Sequence, residues 1–312
     1  MRYTLNGSKS HLFMLRMRFR ARDLYFRLKK LFVSDKAHLE RSYAKHAGGR
    51  LPDLEHPQDF SEKLLYLMLH YRNPLMTLCA DKVYAAEYVR ACGYPEILRE
   101  IYAVADDARK IDFDSLPEEF FMRTNCRSGF NYAVKKSQID LEHTKKFMNI
   151  VKNSNYYYQS REWQYKDMQP LVMCEELLRN KDGSPLVDYK FYCFSGQVKY
   201  FMISKGEYEH DVRNHKFTPD GKSIDHFFKE QATLAQEEAE IPENIDKMLE
   251  IASVLCKPFP HVRVDLYDID GRIVFGEMTF YSNAGVVNVQ SQEFAREIGS
   301  WIKLDKYQKD MR

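Results

Sequence analysis

Apolar positions near the start of the chain recur at helical spacing. Leu24, Tyr25, Leu28, Leu31 and Phe32 follow one another with Arg27, Lys29 and Lys30 between them, which predicts a helix over residues 11–33. Two readings stand: a solvated helix packed on the protein, or a helix lying on an anionic membrane surface. After Pro57 the run Asp59, Phe60, Ser61, Glu62 reads as a helix start, and a second helix follows Asn73–Pro74 to Gly93. Residues 120–136 read as strand, glycine turn, strand, and residues 141–168 as helical and polar. From Pro170 the pattern changes to strands: residues 171–178, then two more around a Ser195–Gly196 turn. Residues 241–257 form a helix opening at Pro242. Residues 262–280 are two alternating strands joined at Asp270–Gly271, a strong hairpin signal. Periodicity supports a mixed α/β or α+β chain of two or three sub-domains.

Charge changes this picture at one end only. Residues 1–50 hold 13 Lys/Arg against 3 Asp/Glu, whereas the rest holds 34 against 42. A mildly acidic body excludes a general nucleic-acid binder. The cysteines, Cys79, Cys92, Cys126, Cys174, Cys193 and Cys256, contain no CxxC pair and read as reduced thiols, so neither a disulfide framework nor a zinc site is expected. Arginines interrupt the N-terminal apolar residues, so no secretory signal is read. No apolar run has the length of a membrane span. A cytoplasmic chain is expected, with the basic helix as a possible contact to the inner face of the membrane.

The final hairpin carries the most chemistry. Arg263 and Asp265 alternate with Val262, Val264 and Leu266, and Glu277 and Thr279 alternate with Met278 and Phe280. Two carboxylates and a guanidinium therefore share one face. Like charges in such a place need a compensating cation, and magnesium, which takes carboxylate and nucleotide phosphate oxygens, is one candidate. A cross-strand Arg–Glu pair on an exposed sheet is the plainer alternative.

This hairpin resembles the metal-binding hairpin of ATP-grasp enzymes such as D-alanine–D-alanine ligases. More narrowly, residues 55–304 resemble the TupA-like ATP-grasp family. The stretches HPQDFSEKLLYLMLHYRNPL, ADKVYAAEYV, DFDSLPEEFFMRTNCRSGFN, YYYQSREWQYKDMQP, DYKFYCFSGQVKYF and FPHVRVDLYDIDGRIVFGEMTF carry that resemblance. It implies an α+β ATP-grasp fold with two sub-domains gripping ATP. The expected division is a basic helical segment 1–50, an N-terminal sub-domain 51–115, a lid 116–178 and a metal-binding sub-domain 179–312.

The resemblance also implies roles. Asp265 and Glu277 would bind magnesium, with Thr279 where the family places an Asn at a second metal position. Arg263 would steady an acyl-phosphate and the tetrahedral intermediate. Lys82, Arg123 and Lys190 would contact phosphates, and Ser128 and Gly129 would lie in the loop that closes over them. Glu175, Glu176 and Leu178 would form the adenine hinge, and Asp188 would take the ribose hydroxyls. Two departures stand out: Arg127 replaces a glycine of the phosphate loop, where it is a further candidate for the γ-phosphate, and Phe280–Tyr281–Ser282–Asn283 replaces the family's Thr-Pro-Gly. The implied reaction is ATP- and magnesium-dependent ligation of a carboxylate to an amine or amino acid in bacterial surface-polysaccharide assembly. A polysaccharide or lipid-linked sugar would be its partner. Two alternatives remain: a glycosyltransferase using the Asp268–Asp270 pair for a metal, or a non-catalytic ATP-grasp scaffold.

Overall fold

The structure, a computed structural model, describes residues 5–6, 8–127, 129–206, 212–228, 239, 241–287 and 289–312, without the side chain of Lys9. In chain order the helices are α1 (Lys9–Phe32), α2 (Asp35–His46), α3 (Phe60–His70), α4 (Pro74–Ala80), α5 (Ala85–Ala91), α6 (Leu141–Lys152), α7 (Tyr157–Ser160), α8 (Ile245–Leu255) and α9 (Gln292–Trp301). The strands are β1 (Ile101–Ala105), β2 (Glu119–Thr124), β3 (Tyr132–Lys135), β4 (Val172–Glu175), β5 (Val187–Phe194), β6 (Gln197–Lys205), β7 (Arg213–Phe217), β8 (His261–Ile269) and β9 (Arg272–Thr279). They divide between two units. One comprises Met1–His38, Ala80–Tyr84 and Arg99–Leu178; the other comprises Leu39–Cys79, Ala85–Leu98 and Arg179–Arg312.

The first unit is built on an antiparallel sheet of order β1-β4-β2-β3. Its core gathers Phe120 and Met122 of β2, Val172 and Cys174 of β4, and Phe147, Met148 and Val151 of α6. Helix α6 starts where the Asp140 carboxylate accepts from the His143 amide, 3.0 Å. Helix α1 is capped by Ser8, whose hydroxyl accepts from the His11 amide at 3.2 Å. Its inward residues Leu15 and Phe19 join the same core. Burying each is worth about 2 kcal/mol, enough to hold one face of a charged helix against the sheet's helical layer.

Three expected helices are shorter; the one expected over residues 241–257 runs from Ile245 to Leu255. The helix foreseen from Asn73 to Gly93 is interrupted between α4 and α5. There the Asp81 carboxylate accepts from the amides of Val83, 2.9 Å, and Tyr84, 3.3 Å. A side chain that caps backbone amides in this way competes with helix continuation. The stretch foreseen as helical to residue 168 stops at Lys152 and returns as the single turn α7 and a 3-10 turn at Trp163–Tyr165. Turn α7 closes on Arg161, which sits in the left-handed region at φ 66° and is buried. A non-glycine residue stays in that region only when its surroundings hold it. Asp35 does so: Arg161 Nε lies 3.0 Å from its Oδ1, and the Tyr157 hydroxyl donates to its Oδ2 at 3.2 Å.

The second unit carries a five-stranded antiparallel sheet, order β7-β6-β5-β8-β9. Helix α8 packs on β5, β6 and β8 with Met248, Ile251, Ala252 and Leu255 buried. The expected start of α3 is a capping box: the Glu62 amide donates to Asp59 Oδ1 at 2.9 Å, and the Asp59 amide donates to Glu62 Oε2 at 3.1 Å. Helix α9 passes so close to this start that a Cβ on Gly299 would lie 2.1 Å from the Gln58 carbonyl oxygen. Only glycine allows that approach. The hairpin turn forms at Asp270 and Gly271, φ 51° and 85°, as expected for its two-residue type. All six cysteines are free. Among the described residues no helix is long and apolar enough to cross a membrane.

Beside Arg161, the wholly buried Glu162 has its pKa raised to about 8 by burial, against hydrogen bonds from Ser160 and Gln164 that favour the anion. An acid whose folded pKa lies above its unfolded value near 4.5 keeps its proton in the folded state while the unfolded chain releases it. Stability is therefore lost as pH rises from about 4.5 to 8. The Glu162→Gln variant should melt higher than wild type at pH 8 by about 3 °C or more, with the gap closing by pH 4.5. Parallel thermal melts across that range check the slope.

Candidate active site

The second unit places its polar side chains in two rows across three neighbouring strands. Lys190 of β5 stands opposite Asp265 of β8, which stands opposite Glu277 of β9. One step along, Tyr192, Arg263 and Thr279 form the next row. Asp188 lies opposite Tyr267 on the same face. The intervening residues, Val262, Val264 and Leu266, are fully buried on the other face. The alternation seen in the sequence thus produces one polar and one apolar side, and adds β5 to the expected hairpin.

Arg263 organises the face. Its Nε and Nη2 donate to the two oxygens of Asp265 at 2.7 and 2.6 Å, a bidentate pair. Nη2 also donates to Thr279 Oγ1 at 3.2 Å, and Nη1 to Ser282 Oγ at 3.1 Å. Four of the five guanidinium hydrogens are thereby used, leaving one on Nη1. Thr279 passes the contact on by donating to Glu277 Oε1 at 3.1 Å, while Arg263 lies 3.8 Å from the same oxygen. Burial would lower the Arg263 pKa, but Asp265, Tyr192 and Glu277 outweigh it and raise it. Burial also lowers Lys190, opposed by Asp265 and Asp188. Asp188 is raised, by burial first and then by Asp265 and Glu277, although Lys190 and Tyr267 oppose the rise. The face therefore holds three carboxylates and two cations close to water's edge: Asp188, Lys190 and Asp265 are buried, and Glu277 is about one third exposed.

Gly276 sets the register. The pairing shifts between Asp265 and Leu266, so that Gly276 is the extra residue of a bulge opposite them. A Cβ there would lie 2.9 Å from the Asp265 carbonyl oxygen and 3.0 Å from the Tyr267 ring. Ser282 and Gly276 were not singled out from sequence. Their signals were a departure from the family's Thr-Pro-Gly and a glycine inside a strand.

The first unit holds the other expected residues. Arg123 and Glu175, for which the resemblance implies contacts to phosphate and adenine respectively, face each other. Arg123 Nε lies 2.9 Å from Glu175 Oε1, and Arg99 Nη1 lies 3.0 Å from the same oxygen. All three side chains are buried, so the carboxylate is compensated by two guanidiniums from within the protein. Glu176 is half-buried, its amide donating to the Glu100 carbonyl at 2.8 Å, and Leu178 is buried. Lys82 follows the Asp81 cap, and its amide donates to the Asn125 carbonyl at 3.3 Å. Asn125, fully buried, also donates to Asp81 Oδ2 at 2.6 Å and to the Gln169 carbonyl at 3.0 Å, and accepts from the Leu171 amide at 2.8 Å. It ties the Lys82 segment to the end of β2, a role visible in the sequence only as the Asn of a motif.

The loop after β2 departs from expectation at Arg127. Rather than extending toward a phosphate, Arg127 is buried over the rings of Phe130, 4.7 Å, and Phe19, 5.6 Å, and donates to the Val151 carbonyl at 3.1 Å. A guanidinium packed on aromatic faces is an anchor for the loop. Gly129 takes φ 74° and is exposed; Ser128 lies outside the described residues. The Asp268–Asp270 pair is occupied by turn contacts. Asp268 accepts from the Gly271 amide at 2.7 Å, and Asp270 accepts from the Lys181 amide at 3.1 Å. This is the use that a tight turn makes of aspartate.

The model of the family described as TupA-like ATPgrasp matches residues 62–303. No curated protein matches the sequence. Among solved structures, the D-alanine–D-alanine ligase of Bacillus anthracis is 14% identical, with 77% of this chain and 72% of that one covered and a TM-score of 0.45. The Helicobacter pylori D-alanine–D-alanine ligase is 12% identical, covering 79% and 69%, TM-score 0.44. The ATP-grasp ligase PsnB, solved with a phosphomimetic variant of its minimal precursor, Mg and ADP, is 13% identical at TM-score 0.41. It covers 75% of this chain, which spans 62% of the PsnB chain.

Gly276→Ala should force the Asp265–Glu277 pairing apart, because the new methyl meets the Asp265 backbone as well as the Tyr267 ring. A loss of about 1–3 kcal/mol in a urea titration is expected. A loss within error would mean that the bulge relaxes freely.

Proposed function

Because this chain belongs to the TupA-like ATP-grasp family, we propose that it is an ATP- and magnesium-dependent ligase joining a carboxylate to an amine. The observation that carries this reading is the row Lys190–Asp265–Glu277, three charged side chains in register on adjacent strands and backed by Arg263. The residues present suit a magnesium ion. Among the described residues no group of three or more His, Cys, Asp or Glu side chains forms a metal cage. One or two carboxylates, with phosphate and water supplying the rest, is the usual share of a protein that holds this ion with a nucleotide. Asp265 and Glu277 would hold it, and each oxygen of Asp265 keeps a lone pair beyond its bond to Arg263. When bound, the ion neutralises charge on the β- and γ-phosphates.

The residues' own work follows from their placement. A substrate carboxylate oxygen attacks the γ-phosphorus and ADP leaves. The amine nitrogen then attacks the carbonyl carbon of the acyl-phosphate, phosphate leaves, and the nitrogen gives up a proton. Lys190, buried opposite Asp265, is placed to offset negative charge on the transferring group. The one unused Nη1 hydrogen of Arg263 is the donor available to an oxyanion, and the pairs to Asp265, Thr279 and Ser282 hold it still. Thr279, in place of the family's Asn, orients Glu277 through its hydroxyl and keeps one lone pair for a ligand. Asp188 is assigned to the ribose hydroxyls. On the first unit, the family resemblance assigns nucleotide contacts to Lys82, Arg123, Ser128, Gly129, Glu175, Glu176 and Leu178. The buried Arg99–Glu175–Arg123 cluster supports a positioning role for Arg123 and Glu175. The polysaccharide or lipid-linked sugar carboxylate, and the amino acid or amine joined to it, are carried over from that same resemblance.

Glu277→Gln tests the reading without disturbing the buried Arg263–Asp265 pair, since Glu277 is the partly exposed member. Isothermal titration should show magnesium-dependent ATP binding by the wild type and at least about tenfold weaker binding by the variant, the loss of roughly 1.4 kcal/mol expected when a metal-held contact goes. Binding of a nucleotide-sugar without ATP would replace the ligase with a glycosyltransferase, and binding of neither would leave a scaffold.

A further inference from the structure

Helix α1 has two apolar faces, and only one is used. At about 100° per residue, Leu15, Phe19 and Phe26 share the inward side, where Leu15 and Phe19 are buried. Phe13, Met17, Leu24, Leu28, Leu31 and Phe32 lie on the opposite side and are exposed, Leu31 by 75% and Phe32 by 86%. Positions 17, 24 and 31 are seven apart, so the outward residues form a stripe along the helix rather than a scatter. Single exposed apolar residues need no explanation, but a contiguous stripe marks an interaction surface.

The charge beside this stripe selects its partner. The helix contains eight Lys/Arg and one acid, Asp23, which is already paired with Arg27 at 2.6 Å. Arg16 and Arg20 flank the stripe with no acidic partner among the described residues. A cavity of ≈ 590 Å³ opens along the same flank, lined by Phe13, Arg16, Arg20, Leu24, Lys146 and Asn149 among others. Cations there border apolar side chains, the arrangement that meets a phosphate-bearing headgroup above acyl chains. A seven-residue stripe also suits pairing with a second copy. That pairing would set Arg16 and Arg20 against their like. A nucleic acid would use the arginines but leave the stripe in water.

We propose that the outward face of α1 docks this protein on an anionic phospholipid bilayer, with Leu24 and Leu28 in the interface and Arg16 and Arg20 on headgroup phosphates. The proposal is independent of the reaction assigned above. The buried side of the same helix carries Phe19, against which Arg127 and Phe130 of the loop after β2 are packed, Phe130 at 5.6 Å between ring centres. The surface that meets lipid and the anchor of that loop are therefore two sides of one helix.

The test is co-sedimentation of the full chain with vesicles of phosphatidylcholine alone or containing roughly 30% phosphatidylglycerol, at low salt and at about 0.5 M salt. Binding to the anionic vesicles is expected, weaker by about tenfold or more on the neutral ones and weakened by salt. Leu24→Glu with Leu28→Glu should abolish it, and Arg16→Glu with Arg20→Glu should reduce it by about tenfold and remove most of the salt dependence. These side chains are exposed, and circular dichroism confirms that each variant is folded. The proposal is overturned if neither vesicle sediments the protein, or if the double leucine variant binds as well as wild type. It is equally overturned if light scattering shows a dimer, dissolved by the leucine substitutions, in protein that ignores vesicles.

Discussion

The bidentate contact between Arg263 and Asp265 is the interaction on which the second unit's polar face depends. Both side chains are largely withdrawn from water, where an unpaired carboxylate or guanidinium would be costly. Pairing them on one strand, two residues apart, removes that cost and leaves a rigid fork. Thr279 and Ser282 are held by the remaining hydrogens, and Glu277 is held through Thr279. Gly276 makes the geometry possible by letting β9 approach the Asp265 carbonyl more closely than any side chain would permit. The result is a set of carboxylates aimed by hydrogen bonds before any ligand arrives, which is the condition for electrostatic preorganisation.

The first unit treats its charges differently. Glu175 is shared by two arginines, and Arg127 is stacked on aromatic rings. These charges find their counterparts inside the protein. Asn125 plays the same part with neutral hydrogen bonds, fastening the segment that bears Lys82 to two loops at once. Such networks hold backbone positions rather than present free charge. Arg127 illustrates the consequence: an arginine-for-glycine change that looks like added charge in a phosphate loop becomes an added anchor to α1 and α6.

Much of this was legible beforehand because it rests on short-range rules. Alternation in residues 262–280 requires two faces, the Asp270–Gly271 step requires a tight turn, and Asp59 followed by Glu62 requires a helix start. The strand at Arg213–Phe217 and the early end of α6 were not legible. The first owes its place to pairing with β6; beyond α6, the single turn α7 closes on a left-handed arginine that Asp35 stabilises from far along the chain.

The sequence by itself determined the periodicities, the charge imbalance at one end and the grouping of Arg263 with Asp265 and Glu277 with Thr279. These follow from the fixed geometry of helices and strands, in which neighbours two or four apart share a side. Only the tertiary structure decided that Lys190 joins Asp265, that Arg123 spends its charge on Glu175, and that α1 buries Phe19 while leaving Leu24 and Leu28 outside. Those outcomes depend on which distant segments meet, and a carboxylate or an aromatic ring takes whichever partner the fold brings within a few ångströms.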